Sequence, residues 1–160
     1  ARVALLKGLP ISVFDTVFKS IHLSKNAQEF ISILQKKGIL VGLVSGGFAP
    51  IVERLAKSFG ISYFSANQLE VKDGFLTGRL VGEIVTGQVK QATLEKWRKE
   101  LKLPKERTFA IGDGANDLLM LKSAGRGISF CAKEVVKTEI ACHVDTRDFL
   151  EVLALIDFLE

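Results

Sequence analysis

The sequence TFAIGDGAND, at residues 108–117, decides which fold this chain adopts. Thr108 to Ile111 form a short, largely apolar segment that is typical of a strand, and it runs directly into a polar turn with two glycines. The segment from Asp117 to Ser123 then predicts the start of a helix. A strand, a polar turn and a helix in succession indicate an α/β fold with a mainly parallel sheet.

The same alternation of strands and helices extends in both directions from this stretch. Strands are predicted at residues 39–44, 61–65, 108–111, 128–130 and 143–144, with a β-hairpin near 69–80 that turns at Asp73–Gly74. The continuous apolar run at 39–44 predicts a buried parallel strand. One helix is predicted to begin at Pro10 and another to lie between an N-cap at Ser24 and a stop at Gly38. Further helices are predicted at residues 49–59, 89–101, 117–123 and 149–159.

The composition excludes several classes of protein. Hydrophobic residues make up 48% of the chain, which is enough to bury a core, and the net charge of +4 comes from basic residues interleaved with acidic ones. There is no basic stripe with aromatic residues, so nucleic acid is not an expected partner. No apolar run approaches the roughly 18 residues of a membrane span. Two cysteines without a CxxC motif fit a reducing compartment, so we expect a cytoplasmic protein.

Asp113 is the strongest candidate for a metal ligand. It follows a predicted strand, and ligands bind beyond the carboxyl ends of strands in parallel sheets. A carboxylate there is a suitable ligand for Mg²⁺, and the glycines on either side allow the backbone to approach a ligand closely. Asp117 lies where it can complement the helix dipole or bind a cation. An ordinary acidic turn is the alternative, but the string of six residues favours a functional site.

Two further elements are weaker when each is taken alone. Ser45–Gly46–Gly47 lies between a predicted strand and a predicted helix, where a hydroxyl and free N–H groups can bind phosphate. An ordinary turn explains the same three residues equally well. Lys90 lies near the start of a predicted helix and is suited to neutralise phosphate charge, but spacing alone does not separate it from the other lysines.

The order Ser45, Lys90, Asp113, Asp117 resembles the haloacid-dehalogenase superfamily of phosphatases and, within it, the phosphoserine phosphatase family. The stretches that carry the closer resemblance are residues 45–48, 66–78, 112–121 and 130–133. The resemblance implies a Rossmann-like parallel sheet flanked by helices, together with a small helical cap. It places residues 1–36 in the cap region and residues 37–160 in the core.

The resemblance also implies a role for each candidate residue. Lys90 and Asp117 would be catalytic, with Asp117 positioning Lys90, and Asp113 would bind a Mg²⁺ cofactor. Five residues would bind the phosphoryl group or the carboxylate of the substrate: Arg2, Ser45, Gly46, Lys90 and Asn116. The expected reaction is Mg²⁺-dependent hydrolysis of O-phosphoserine to serine and phosphate, the last step of serine biosynthesis, through an aspartyl-phosphate.

One departure from the family pattern is large. The family begins with a strand that bears Asp-x-Asp-x-Thr or Val, whose first aspartate is the nucleophile, and these 160 residues contain no such motif. The nearest match, Val13–Phe14–Asp15–Thr16–Val17, lies in a predicted helix. We therefore expect that the first core strand is absent from this chain and that the chain alone is inactive. The alternatives are a non-catalytic relative that binds a phosphorylated ligand or a partner protein, and a phosphatase for another phospho-monoester. The sequence leaves a homodimer open.

Overall fold

The structure is a computed structural model that describes residues 2–156. Its helices are α1 (Val13–Lys19), α2 (Ala27–Lys36), α3 (Ala49–Ser58), α4 (Gly87–Glu100), α5 (Leu118–Ser123) and α6 (Glu134–Lys137). Its strands are β1 (Gly42–Phe48), β2 (Tyr63–Lys72), β3 (Phe75–Val81), β4 (Phe109–Gly112), β5 (Arg126–Phe130) and β6 (Cys142–Val144). Short 3-10 helices cover Val3–Leu6, Lys105–Arg107, Ala115–Asp117 and Phe149–Leu155.

The described residues form two compact units. The first contains residues 2–22 and 41–85, and the second contains residues 23–40 and 86–156. These two units do not coincide with the predicted cap region at 1–36 and core at 37–160. The predicted division stays a prediction. No helix within residues 2–156 is both long and apolar enough to cross a membrane.

The first unit contains a three-stranded sheet in the order β1-β2-β3. β1 and β2 are parallel, and β2 and β3 form an antiparallel hairpin. The hairpin turns at Asp73 and Gly74, whose φ angles of 52° and 82° suit a two-residue turn, so the Asp–Gly prediction is confirmed. The predicted strand at 61–65 and the first arm of the hairpin are parts of the one strand β2.

The second unit contains a sheet in the order β4-β5-β6, in which both pairs are parallel. Its core packs α5 and the segment around α6 against β4, through six buried residues: Ala110, Met120, Leu121, Ala124, Val136 and Ile140. The parallel pairing predicted from the sequence is confirmed. Within residues 2–156, however, the strands form two sheets of three, and β1 and β4 are both edge strands. The predicted burial of β1 is wrong, because among residues 2–156 this strand is paired on one side only, and it is exposed or only partly buried.

Helices α2, α3 and α4 end within two residues of their predicted bounds. Gly38 and Gly60 both adopt positive φ just after α2 and α3, and Lys102 does so after α4. After α2, the Ile39 N–H donates to the Leu34 carbonyl at 2.9 Å, which completes a Schellman motif. Because Ile39 takes part in this cap, β1 begins at Gly42 and not at residue 39 as predicted.

Two predicted helix starts are wrong. Pro10 forms a β-bridge with Phe75, so α1 begins three residues later at Val13. Ser24 is not the N-cap of α2; that position belongs to Asn26, which has a φ of 60°. The predicted final helix at 149–159 is a 3-10 helix over Phe149–Leu155, and its end lies outside the described residues.

Candidate active site

Asp117 organises the loop that follows β4. One oxygen of its buried carboxylate, Oδ2, accepts hydrogen bonds from the backbone N–H groups of Asp113 and Gly114, both at 3.1 Å. This close approach depends on the glycine at 112, because a Cβ there would lie 2.6 Å from the Cβ of Asp117. The loop is therefore closed around the Asp117 carboxylate, and the Asp113 side chain is left exposed at the carboxyl end of β4.

Lys90 is the cation that pairs with this carboxylate. It lies in the first turn of α4, which begins after Thr86, and its Nζ is 2.7 Å from the second oxygen of Asp117, Oδ1. Lys90 is only 6% exposed. Lysine is almost never buried without a partner, so this pair is a specific feature of the second unit and not a surface ion pair. The structure thus places Lys90 in direct contact with Asp117, while its catalytic role stays a prediction.

Asn116 belongs to the same cluster. Its backbone carbonyl lies against the first residue of α4, since a Cβ on Gly87 would be 3.0 Å from that oxygen. Its side chain folds back over the loop: a Cβ built on Gly114 would lie only 2.5 Å from Asn116 Oδ1. Asn116 is exposed, so its amide is available to a ligand. The second unit therefore brings together four predicted site residues: Lys90, Asp113, Asn116 and Asp117.

The first unit contains the Ser45–Gly46–Gly47 segment. It forms a bulge in β1, because Val44 pairs with Ser65 and Phe48 pairs with Asn67, which leaves three residues of β1 opposite one of β2. The prediction of a turn is therefore wrong in detail, since the segment lies within the strand. The Gly47 N–H donates to the Ser45 Oγ at 2.9 Å, while the Gly46 carbonyl accepts from the Asn67 side chain at 2.9 Å.

Arg2 is the predicted site residue with the fewest contacts. It is exposed and precedes the 3-10 helix at Val3–Leu6, where its carbonyl accepts the Leu5 N–H. Its guanidinium has no hydrogen bond or ion pair with any residue that the structure describes. Arg2, Ser45 and Gly46 belong to the first unit, so the predicted site residues fall into two groups, one in each unit.

Sequence reasoning did not assign a role to Asn67. It is 6% exposed, and its side chain bonds to the backbone of both Gly46 and Val85. The stretch 66–78 was notable only as part of a family resemblance. The available signal was an asparagine within an otherwise strand-like segment, because a polar side chain at such a position needs partners.

The second unit offers one suitable ligand for Mg²⁺, the carboxylate of Asp113. The Asp113 carboxylate is exposed and has no hydrogen-bond or ion-pair partner among residues 2–156, so it is available to a hard cation. In that part of the chain, no group of three or more histidine, cysteine, aspartate or glutamate side chains is arranged to bind a metal. The described residues therefore supply one carboxylate of such a site.

The sequence model of the haloacid dehalogenase-like hydrolases matches residues 1–122. This chain belongs to that family. The predicted superfamily, the predicted fold and the prediction of a hydrolase are thereby confirmed. That the first core strand, with its nucleophile, is missing from this chain stays a prediction.

Several proteins similar to this hydrolase are phosphoserine phosphatases. A phosphoserine phosphatase from Streptococcus thermophilus is 51% identical over 98% of this chain and 73% of its own length. Two solved structures are each 42% identical and cover 97% of this chain and 74% of their own. One is a phospho-aspartyl intermediate analogue of phosphoserine phosphatase, with a TM-score of 0.91, and the other is a substrate-bound phosphoserine phosphatase complex, with a TM-score of 0.92.

Proposed function

We propose that this hydrolase removes the phosphoryl group from O-phosphoserine in a Mg²⁺-dependent reaction. The observation that supports this most directly is the buried Lys90–Asp117 pair beside the exposed Asp113 carboxylate. A fixed ammonium and a cation-binding carboxylate stabilise the charge of a transferring phosphoryl group. The named activity of the relatives supports the choice of substrate.

Each residue of the second unit has a separate task in this proposal. Lys90 neutralises the phosphoryl oxygens and the attacking carboxylate. Asp117 fixes the ammonium of Lys90 and the backbone of the Asp113 loop, and so it is a positioning residue. Asp113 binds Mg²⁺, which when present neutralises negative charge on the phosphoryl oxygens. Asn116 donates from its exposed amide to the phosphate.

The first unit supplies the remaining contacts in this proposal. The Ser45 hydroxyl and the Gly46 N–H donate to the phosphoryl oxygens. The guanidinium of Arg2 binds the substrate carboxylate with two parallel hydrogen bonds, which favours an amino-acid substrate. The role of Arg2 is the easiest to test, because it predicts selectivity between substrates and not only activity.

The nucleophile comes from outside these 160 residues. In the proposed reaction an aspartate oxygen attacks phosphorus and the bond to the serine oxygen breaks, with a second acid protonating that oxygen. Water then cleaves the aspartyl-phosphate and releases phosphate. The solved relative described as a phospho-aspartyl intermediate analogue supports this route. Sequencing the reading frame upstream of Ala1 tests it: if no Asp-x-Asp-x-Thr or Val motif precedes this chain, the non-catalytic alternative takes first place.

The test of the substrate compares two ligands that differ in one group. O-phosphoserine and O-phosphoethanolamine share the amine and the phosphate, but only the first has a carboxylate. In the full-length protein, Arg2→Ala should lower kcat/KM for phosphoserine about 10–100-fold and leave the value for phosphoethanolamine nearly unchanged. Arg79→Ala, at another exposed arginine of the first unit, is the matched control. Equal losses on both substrates would favour a different phospho-monoester.

Compartment and assembly remain part of the proposal. The cysteines Cys131 and Cys142 are both free, which supports a reducing compartment such as the cytoplasm. A homodimer stays open, and light scattering on the full-length protein decides it.

A further inference from the structure

The peptide between Gly46 and Gly47 is hydrogen-bonded at both ends. Its carbonyl accepts from Asn67 Nδ2 at 2.9 Å, and its N–H donates to Ser45 Oγ at 2.9 Å. A peptide group is planar, so two bonds on opposite edges fix the rotation of the whole plane. In the bulge of β1 these side-chain bonds take the place of the regular ladder, which is interrupted between Val44 and Phe48.

The chemistry of the two backbone groups selects an amide at position 67. A carbonyl such as that of Gly46 can only accept, and the Val85 N–H, which lies 2.8 Å from Asn67 Oδ1, can only donate. These two partners therefore set the orientation of the Asn67 side chain unambiguously. A carboxylate could not donate to Gly46, and an apolar side chain would leave both groups unpaired in a buried place.

The same bonds determine how the Ser45 hydroxyl is used. A hydroxyl has one donor and two acceptor positions, and here Ser45 Oγ accepts from the Gly47 N–H. Its proton is therefore free to be donated elsewhere. If the peptide between Gly46 and Gly47 rotated, the Gly47 N–H would turn away and the Ser45 side chain would lose the bond that orients it.

We propose that Asn67 is a positioning residue for phosphate binding, which acts through the Gly46–Gly47 peptide to direct the Ser45 hydroxyl toward the phosphoryl group. The inference rests on the proposed function and deepens its account of Ser45. Asn67 itself does not touch the phosphate. Its contribution therefore passes through Ser45, and a double-mutant cycle detects this dependence.

The experiment measures the affinity of inorganic phosphate by calorimetry in the full-length protein with Mg²⁺. Ser45→Ala and Asn67→Leu should each weaken phosphate binding about tenfold, the effect of losing one charge-assisted hydrogen bond. The double variant should be within about twofold of Ser45→Ala, because Asn67 has nothing left to position. Losses that multiply to about a hundredfold, or no loss in Asn67→Leu, would overturn the inference.

Two additions separate positioning from general damage. Ile61→Ala truncates a buried residue of the same unit and should lower the melting temperature without changing phosphate affinity. If Asn67→Leu does not fold, Asn67→Ser takes its place in the cycle, because its hydroxyl is a donor and an acceptor in a smaller side chain.

Hydrolysis of O-phosphoserine by the wild-type protein is measured separately. A protein that hydrolyses phosphoserine, but in which the effect of Asn67→Leu is the same with and without Ser45, keeps the proposed function and refutes the inference. A protein that hydrolyses no phospho-monoester, but in which phosphate binding shows the coupling, refutes the function and retains the inference.

Discussion

The ion pair between Lys90 and Asp117 makes a quantitative prediction about stability. The two side chains are 8% and 7% exposed, and their charged atoms are 2.7 Å apart. Removing one partner of a buried pair leaves the other charge without compensation, which costs about 3–5 kcal/mol. A domain of this size is stable by only about 5–15 kcal/mol, so either substitution removes a large part of the total.

The two single substitutions should differ in cost. In Lys90→Met the Asp117 carboxylate keeps two hydrogen bonds, from the N–H groups of Asp113 and Gly114, so the loss should be near the low end at about 3 kcal/mol. In Asp117→Ala the ammonium loses its only partner among the described residues, and the two N–H groups lose their acceptor. The loss should then reach about 5 kcal/mol or more.

Adding Lys90→Met to Asp117→Ala should recover part of the stability, because the double variant no longer buries an uncompensated charge. The assay is urea unfolding at pH 7 followed by two probes. Lys96→Met is the matched control, since this lysine lies on the same helix, is 70% exposed and is 4.0 Å from Glu100. The reasoning is refuted if Lys90→Met costs no more than Lys96→Met, or if the double variant is less stable than Asp117→Ala.

Three further predictions concern single positions. Gly112→Ala should lower the free energy of unfolding in urea by about 1–3 kcal/mol, because its Cβ would lie 2.6 Å from that of Asp117; an unchanged value would show that the loop adapts freely. Ser129→Ala should change stability by less than about 1 kcal/mol, or raise it, because the fully buried Oγ has no partner among the described residues; a larger loss would reveal a partner. Hydrogen bonds from Asn26 and then Lys25 lower the pKa of Asp148, so its charge stabilises the fold above about pH 4 and this contribution is lost on acidification. Asp148→Asn should therefore melt at a lower temperature than the wild type at pH 7, and the difference should shrink as the pH falls below about 4; a difference that stays constant on acidification would contradict this.

The features of the fold that could be predicted are those with a local cause. Gly38 and Gly60 end helices because a left-handed residue is needed there, and Asp73–Gly74 turns a hairpin because both residues tolerate positive φ. The boundaries failed where a second interaction competed for the same residue. Pro10 was expected to start a helix, but it pairs instead with Phe75, a contact that spacing along the chain does not reveal.

The site was predictable in part for the same reason. Asp113 lies in the glycine-rich turn directly after a strand, and Asp117 follows four residues later, so the sequence alone indicates their chemistry. Lys90 is one of many basic residues, and what distinguishes it is burial against a carboxylate 27 residues later in the chain. The role of Asn67 could not be predicted, because its partners, Gly46 and Val85, are 21 and 18 residues away along the chain and both bonds are to the backbone.

Asp117 in the second unit and Asn67 in the first stabilise the backbone around them in the same way. Each is a buried polar side chain that bonds to the backbone of a glycine-containing segment, around Gly114 in one case and at Gly46 in the other. Glycine makes such segments able to approach an anion closely, but it also gives them the largest conformational entropy to lose. A side chain that fixes the peptide groups beforehand removes this cost from the binding step, so that N–H and hydroxyl groups already face the position of the charge. If the proposed function holds, the residues that determine phosphate affinity include side chains that never contact the phosphate.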